Sequence, residues 1–392
     1  MTALDWLNLA LRWAHLIAGI GWIGSSFYFI WLDNHLTAPL PERSREGVEG
    51  ELWMVHSGGF YQVERRRIGP GRMPRALHWF KWEAALTWIT GFLLLSIVYY
   101  LSGGVYLVDA SVSGIGARAA TALGIGVLVA SWFVYDVLWR SPAARDARLA
   151  TALSMLLLAG VTYALCRLLS GRAAYIHVGA MLGTLMVVNV WGRILPAQQQ
   201  MIDATAAGRD PDFTVGERAK RRSVHNSYMT LPVLFIMLSS HYPSAYGHRL
   251  NWLVLLLLAV AGAAVRHVMI AKAGSGRWAL VPAAAAAVAL LLLVAPPRPS
   301  RASGDHVPFA AVRAVITQRC VPCHSRYPSD SVFAAAAAVV VFDTPESIRA
   351  LAERIRVRAV LSETMPLANR TGMTPDERAL VGRWIDGGAQ LR

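Results

Sequence analysis

The most tightly spaced reactive residues in the chain are Cys320, Cys323 and His324, in the run Cys320-Val321-Pro322-Cys323-His324. Two thiols about one turn apart can each bond a vinyl group of a haem, and the adjacent imidazole then reaches the iron, so the C-x-x-C-H run predicts one covalent haem c. A redox C-x-x-C or half a zinc site would use the same thiols. With only 3 cysteines in 392 residues, no second pair exists to complete a zinc site or to staple a disulfide fold. An electron-carrying haem needs a sixth ligand, and a methionine sulfur raises its potential. Of the two candidates, Met365 is favoured over Met373. Pro366 stiffens the loop that would hold the weak thioether bond of Met365, whereas Met373 precedes the N-cap Thr374 and reads as a hydrophobic staple onto the last helix.

Three other polar clusters stand beside long apolar runs. They are VHSGGFY, with His56 and two glycines in a loop; LHWFKWE, with His78, Lys81 and Glu83 among three aromatic residues; and SVHNSYMTLP, with His225 and Asn226. Singly, such residues are interfacial anchors, snorkelling cations or solvated histidines. Together they supply the cations, amides, aromatic faces and imidazoles that a planar, hydrogen-bonding anion requires. His56, Glu83 and His225 are the candidates for proton transfer, and Lys81, Asn226 and Arg193 those for holding the anion. Glu83 carries most weight, since it lies about one turn into an apolar run, where a carboxylate is costly and therefore functional or paired. Arg193 is its candidate partner. Deeper in the apolar runs stand His15, His177 and His267. His15 and His177 are candidate ligands of a second, non-covalent haem b, with an interhelical hydrogen bond as the plainer alternative.

The elements that must position these groups are apolar helices. The chain is 55% hydrophobic and 16% charged, against about a quarter charged in soluble proteins, which excludes a purely soluble molecule. Apolar runs long enough to span a bilayer cover roughly residues 6 to 32, 79 to 101, 119 to 139, 149 to 169, 174 to 195, 250 to 271 and 278 to 295. A shorter one around 226 to 241, interrupted by Pro232, is read as an eighth span. The first run reads as a span and not as a cleaved signal peptide, because it lacks a basic leading segment and a small-residue cleavage site. The net charge of +14 comes from arginine and lysine between the runs, a pattern that sets membrane topology and does not call for nucleic acid. The basic connections after spans one, three, five and seven are expected on the cytoplasmic side of a bacterial inner membrane. Both termini are then periplasmic, the side on which haem of this type is attached.

The fold expectation is therefore all-α: a polytopic bundle of about eight transmembrane helices over residues 1–297, a Pro- and Ser-rich linker at 298–304, and a small α-helical cytochrome c domain over 305–392. Its last helix is marked by the capping box Thr374 to Glu377, with Pro375 at the first helical position.

The chain resembles the bacterial membrane-bound urate oxidases, or urate hydroxylases, in which a multi-span domain is fused to a C-terminal cytochrome c. The resemblance rests on VHSGGFY, LHWFKWEAALTW, NVWGRILPAQQQ, SVHNSYMTLPVLFIMLSSHYP and CVPCH with MPLANRTGMTPDER, and covers nearly the whole chain. It implies hydroxylation of urate to 5-hydroxyisourate, with the electrons passed to the fused haem and on to a downstream respiratory acceptor, a soluble cytochrome or a terminal oxidase. Two other classes use the same haem motif. A quinol-oxidising respiratory subunit would respond to quinol and not to urate, and a non-enzymatic membrane anchor for a cytochrome would leave the three polar clusters without a purpose.

Overall fold

The computed structural model describes residues 3–295, 307–330, 332 and 339–392. The expected linker at 298–304 and the alanine run at 334–338 lie outside the described residues. The helices of the N-terminal part are α1 (Ala3–His35), α2 (Trp82–Leu95, continued by a π-helical turn Ser96–Tyr100), α3 (Ala117–Leu138) and α4 (Ala147–Leu168). Then come α5 (Gly171–Asn189, running through a π-helical turn Val190–Ile194 into Leu195–Ala206), α6 (Phe213–Ser239), α7 (Asn251–Ile270) and α8 (Leu280–Val294). Among the described residues, 7 helices are long and apolar enough to cross a membrane, namely all of these except α6.

Helix α5 is the axis of the bundle. Its most apolar stretch is 72% buried, against 6% to 22% for the other six, and it packs on α2, α3, α4 and α6. Small residues permit this: a Cβ on Gly179 would come within 2.5 Å of Ile236 on α6, so the two backbones close only because glycine stands there. The outer helices show the opposite pattern. Leu16 and Ile20 of α1, Leu156 of α4 and Leu292 of α8 are all more than half exposed, an apolar rim that suits hydrocarbon and not water.

Helix α6 explains why the segment at 226 to 241 looked short. It is the second half of a 27-residue helix, about 40 Å long, whose first half carries Glu217, Arg218, Lys220, Arg221 and Arg222. The helix packs between α5 and α7, with Pro232 seated against Gly262 of α7.

The all-α expectation needs one correction. VHSGGFY is no irregular loop but the tip of an antiparallel hairpin, β1 (Val48–His56) with β2 (Gly59–Arg66), in which His56 pairs with Gly59. Ser57 and Gly58 both have positive φ, 50° and 76°, which is what a two-residue hairpin turn demands and what glycine adopts without penalty. The alternation in ELWMVH and FYQVER was the strand signal beside it.

The C-terminal unit has its own core. Phe309, Val312 and Ile316 of α9 (Phe309–Arg319) meet Val381, Trp384 and Ile385 of a last helix, Pro375–Asp386, and α10 (Pro345–Ala350) adds Ile348. The expected capping box is formed: Thr374 Oγ1 accepts from Glu377 N at 3.2 Å, and Glu377 Oε2 accepts from Thr374 N at 2.8 Å. Where this unit meets the bundle, Arg358 donates to the Tyr246 hydroxyl at 3.1 Å, and Gly247 lies so close that a Cβ there would come within 2.5 Å of Thr364.

Candidate functional site

A cavity of about 1480 Å³ lies at this junction. From the C-terminal unit it is lined by Cys320, Cys323, His324 and Met365; from the bundle, by Tyr106, Arg172 and Asn251 among others. The tertiary fold thus brings four sequence-selected residues to one space from two separate segments. His324 Nδ1 is held by the Val340 carbonyl at 3.1 Å, the kind of contact that orients a ligating imidazole. Met373 is absent from the lining. It is 2% exposed and packs in the core, with its backbone N–H donating to Asn369 Oδ1 at 2.9 Å. Burial pushes the Cys320 thiol up to about 12 and raises Cys323 as well, whereas a redox-active C-x-x-C needs a thiol shifted downward. No cluster of three or more His, Cys, Asp or Glu suited to a metal ion occurs among the described residues. A haem bonded through both thiols, with His324 and Met365 on its iron, fits this cavity in volume and donor set.

A second constellation lies inside the bundle. Tyr135 of α3 accepts from Asn189 Nδ2 at 3.1 Å and is 2.7 Å from Nδ1 of His225 on α6. The phenol oxygen takes one amide proton and can donate to or accept from the imidazole, so the His225 tautomer sets the direction of that contact. The His225 ring lies 4.1 Å from that of Trp139. Asn189 also donates to Asn226 Oδ1 at 2.9 Å, and Asn226 donates to the Met186 carbonyl at 2.9 Å. Beside them Asp136 accepts from Arg193 through both nitrogens of its fork, and from Arg222 at 2.8 Å, with Arg140 at 3.6 Å. Lys81 is set among indoles: its Nζ lies 5.7, 6.0 and 5.8 Å from the rings of Trp79, Trp82 and Trp191.

The structure therefore gathers Arg193, His225 and Asn226 in one network and places Lys81 against Trp191, on the same π-helical turn as Arg193. It corrects one expectation, the partner of Arg193, and locates His56 and Glu83. Arg193 does not pair with Glu83; a carboxylate on the third helix claims its guanidinium, so it is no open anion clamp. His56 sits exposed at the hairpin tip, and no hydrogen bond holds its ring among the described residues. Glu83 packs its Cγ 3.5 Å from where a Cβ of Gly21 on α1 would lie, and its Oε2 is buried without a hydrogen-bond partner among the described residues. Tyr135, Asp136 and Asn189 escaped the sequence reading, although a carboxylate inside WFVYDVLWR was as strong a signal as Glu83.

His15 and His177 do not come together. His15 Nδ1 lies 3.0 Å from the Thr87 carbonyl and 3.1 Å from Thr90 Oγ1. His177 Nε2 contacts the Tyr100 hydroxyl at 2.9 Å, at the other end of the same α2 segment, and Nδ1 the Ala173 carbonyl at 2.8 Å. Ten residues of helix separate those anchor points, about 15 Å, whereas two axial ligands must meet one iron atom. His177 is also walled in, since a Cβ on Gly124 would come within 2.6 Å of its Nε2. The pair does not fit a shared haem, and both histidines take the interhelical role. A line of rings does run from His177 to the cavity: Tyr99 lies 6.1 Å from His177 by centroid, and the cavity-lining Tyr106 lies 6.4 Å from Tyr99.

Neither curated proteins nor solved structures gave a match to the chain. A protein-family model did: it is described as urate oxidase N-terminal, and it covers residues 1–296, the whole bundle and hairpin with all the polar groups above. That extent is three-quarters of the chain, and the protein belongs to the urate oxidase N-terminal family.

Proposed function

We propose that this protein is a urate-oxidising enzyme of the bacterial inner membrane, with eight spans and with both termini and the cytochrome c domain in the periplasm. The observation that carries the reading is the junction cavity: a complete haem c donor set, Cys320, Cys323, His324 and Met365, faces the bundle of a urate oxidase family member. The reaction is urate plus water giving 5-hydroxyisourate, two protons and two electrons. The covalently bound haem would supply a one-electron acceptor, used twice per turnover, with a soluble cytochrome or terminal oxidase downstream.

The residues of the bundle account for binding and proton transfer. Lys81, its ammonium set near three indoles, attracts the urate anion, and the indoles offer flat faces against which a purine can stack. As water adds at C5, one proton passes to His225, whose Nδ1 is held by Tyr135, and the other to Glu83, whose Oε2 has no competing donor. Asn226 and Asn189 keep His225 and Tyr135 in register. Asp136 gathers Arg193, Arg222 and Arg140, and so maintains α3, α5 and α6 in the arrangement the network needs. No step is assigned to His56.

Anaerobic addition of urate to the purified protein, followed by the haem spectrum, tests the reading. Reduction of the haem by urate, without a stoichiometric yield of peroxide in air, is the expected result. Reduction by a quinol but not by urate would favour a respiratory quinol oxidase, and an inert haem with both would leave an anchored cytochrome.

A further inference from the structure

Arg266 is the largest fully buried side chain among the described residues, at 0% exposure, and it lies near the end of α7. Asn251, at the start of that helix, lines the junction cavity, so Arg266 stands about 22 Å from it along the axis. Unlike Asp136, it has no charge partner among the described residues. Nη2 donates to Ser26 Oγ of α1 at a long 3.3 Å, Nη1 is 3.9 Å from the Met269 sulfur, and Nε donates to nothing. The Phe27 ring covers one face at 3.9 Å and supplies no acceptor. A guanidinium among apolar helices is retained only where something repays its desolvation.

Glu83 presents the complementary deficit at the same end of the bundle. It is the second residue of α2, which runs antiparallel to α1, and its buried Oε2 has no donor. The two groups touch α1 five residues apart, Glu83 beside Gly21 and Arg266 at Ser26, an axial separation of about 7.5 Å. They do not pair with each other, and each keeps one polar atom unused. A ligand that completes both must offer acceptors and N–H donors on one rigid frame of that length, as an anionic oxopurine does.

We propose that Arg266 is a second anion-binding residue of the substrate site, together with Lys81, donating to the deprotonated edge and carbonyl oxygens of urate while Glu83 accepts an N–H from the opposite edge. The inference rests on the reading that the bundle binds urate, and adds a specificity residue to it. Arg266 belongs to none of the polar clusters that stand out in the sequence.

The test is equilibrium binding of radiolabelled urate to the full-length protein in excess dithionite, so that bound urate is not oxidised. Arg266→Met should bind urate roughly thirty-fold or more weakly, as expected when a charged hydrogen bond is lost in a desolvated site. Arg266→Lys, which keeps the charge but not the fork, should fall between it and the parent, and decides the matter by itself if the methionine variant does not accumulate. Variants that bind as tightly as the parent overturn the inference while leaving the proposed function standing. A parent protein that binds no urate overturns both.

Discussion

Asp136 and Arg266 are both buried charges among apolar helices, and they are opposite cases. Asp136 is surrounded by three arginines, two of them from other helices and donating hydrogen bonds to it, and both of its oxygens are engaged. Arg266 meets a hydroxyl, a thioether and a ring, and no anion. The cluster around Asp136 is complete within the chain, so its energy goes into holding the fold. The environment of Arg266 is incomplete, so whatever offsets its burial must come from outside the chain. Cavity-lining Met365 and core-packed Met373 differ in the same way.

If this distinction is right, stability and function should separate across five substitutions. Asp136→Asn should cost the most, about 3–5 kcal/mol, because it strands the buried Arg222 beside Arg193; thermal unfolding in detergent measures it, and a loss below 1 kcal/mol would break the comparison. Met373→Ala should cost about 2–5 kcal/mol through the cavity it opens in the C-terminal core, with the spectrum of the remaining folded haem protein unchanged. Tyr135→Phe should cost about 1–3 kcal/mol, since it leaves an amide donor of Asn189 and Nδ1 of His225 unmet; urate-dependent haem reduction should slow with it, and His225→Gln tests whether the two effects share one network. Met365→Ala should leave the unfolding midpoint of the C-terminal unit nearly unchanged and abolish the thioether ligation band, and the reverse pattern for the two methionines would transfer the ligand role to Met373. Arg266→Met completes the series, with an unfolding midpoint equal to or above that of the parent, because it removes an uncompensated charge.

The apolar runs were legible because each is defined by its own length and composition, and a helix in hydrocarbon satisfies its backbone internally whatever its neighbours do. The capping box at Thr374 and the C-x-x-C-H motif were legible for the same reason: their partners lie within a few residues. The hairpin at Ser57-Gly58 was equally local but less legible, because adjacent apolar residues such as Leu52, Trp53, Met54 and Val55 interrupt the alternation beside it. Arg193 shows where local reading stops. Its basicity and its place at the end of an apolar run are sequence properties, but its partner is Asp136, 57 positions away, and not Glu83.

By itself, then, the sequence determined which segments are apolar helices, where two thiols and an imidazole stand in C-x-x-C-H spacing, and which polar residues are too costly to be accidental. Tertiary structure alone decided which of those residues complete one another. His15 and His177 differ only in position along apolar helices, yet packing sends them to anchor points at opposite ends of α2. The sequences around Asp136 and Arg266 each carry one charge in an apolar run, and nothing in them says that the first is satisfied and the second is not. The physical reason is range: helix propensity, capping and hydropathy act over one or two turns, whereas the pairing of a buried charge depends on which helices, distant in sequence, are pressed against it.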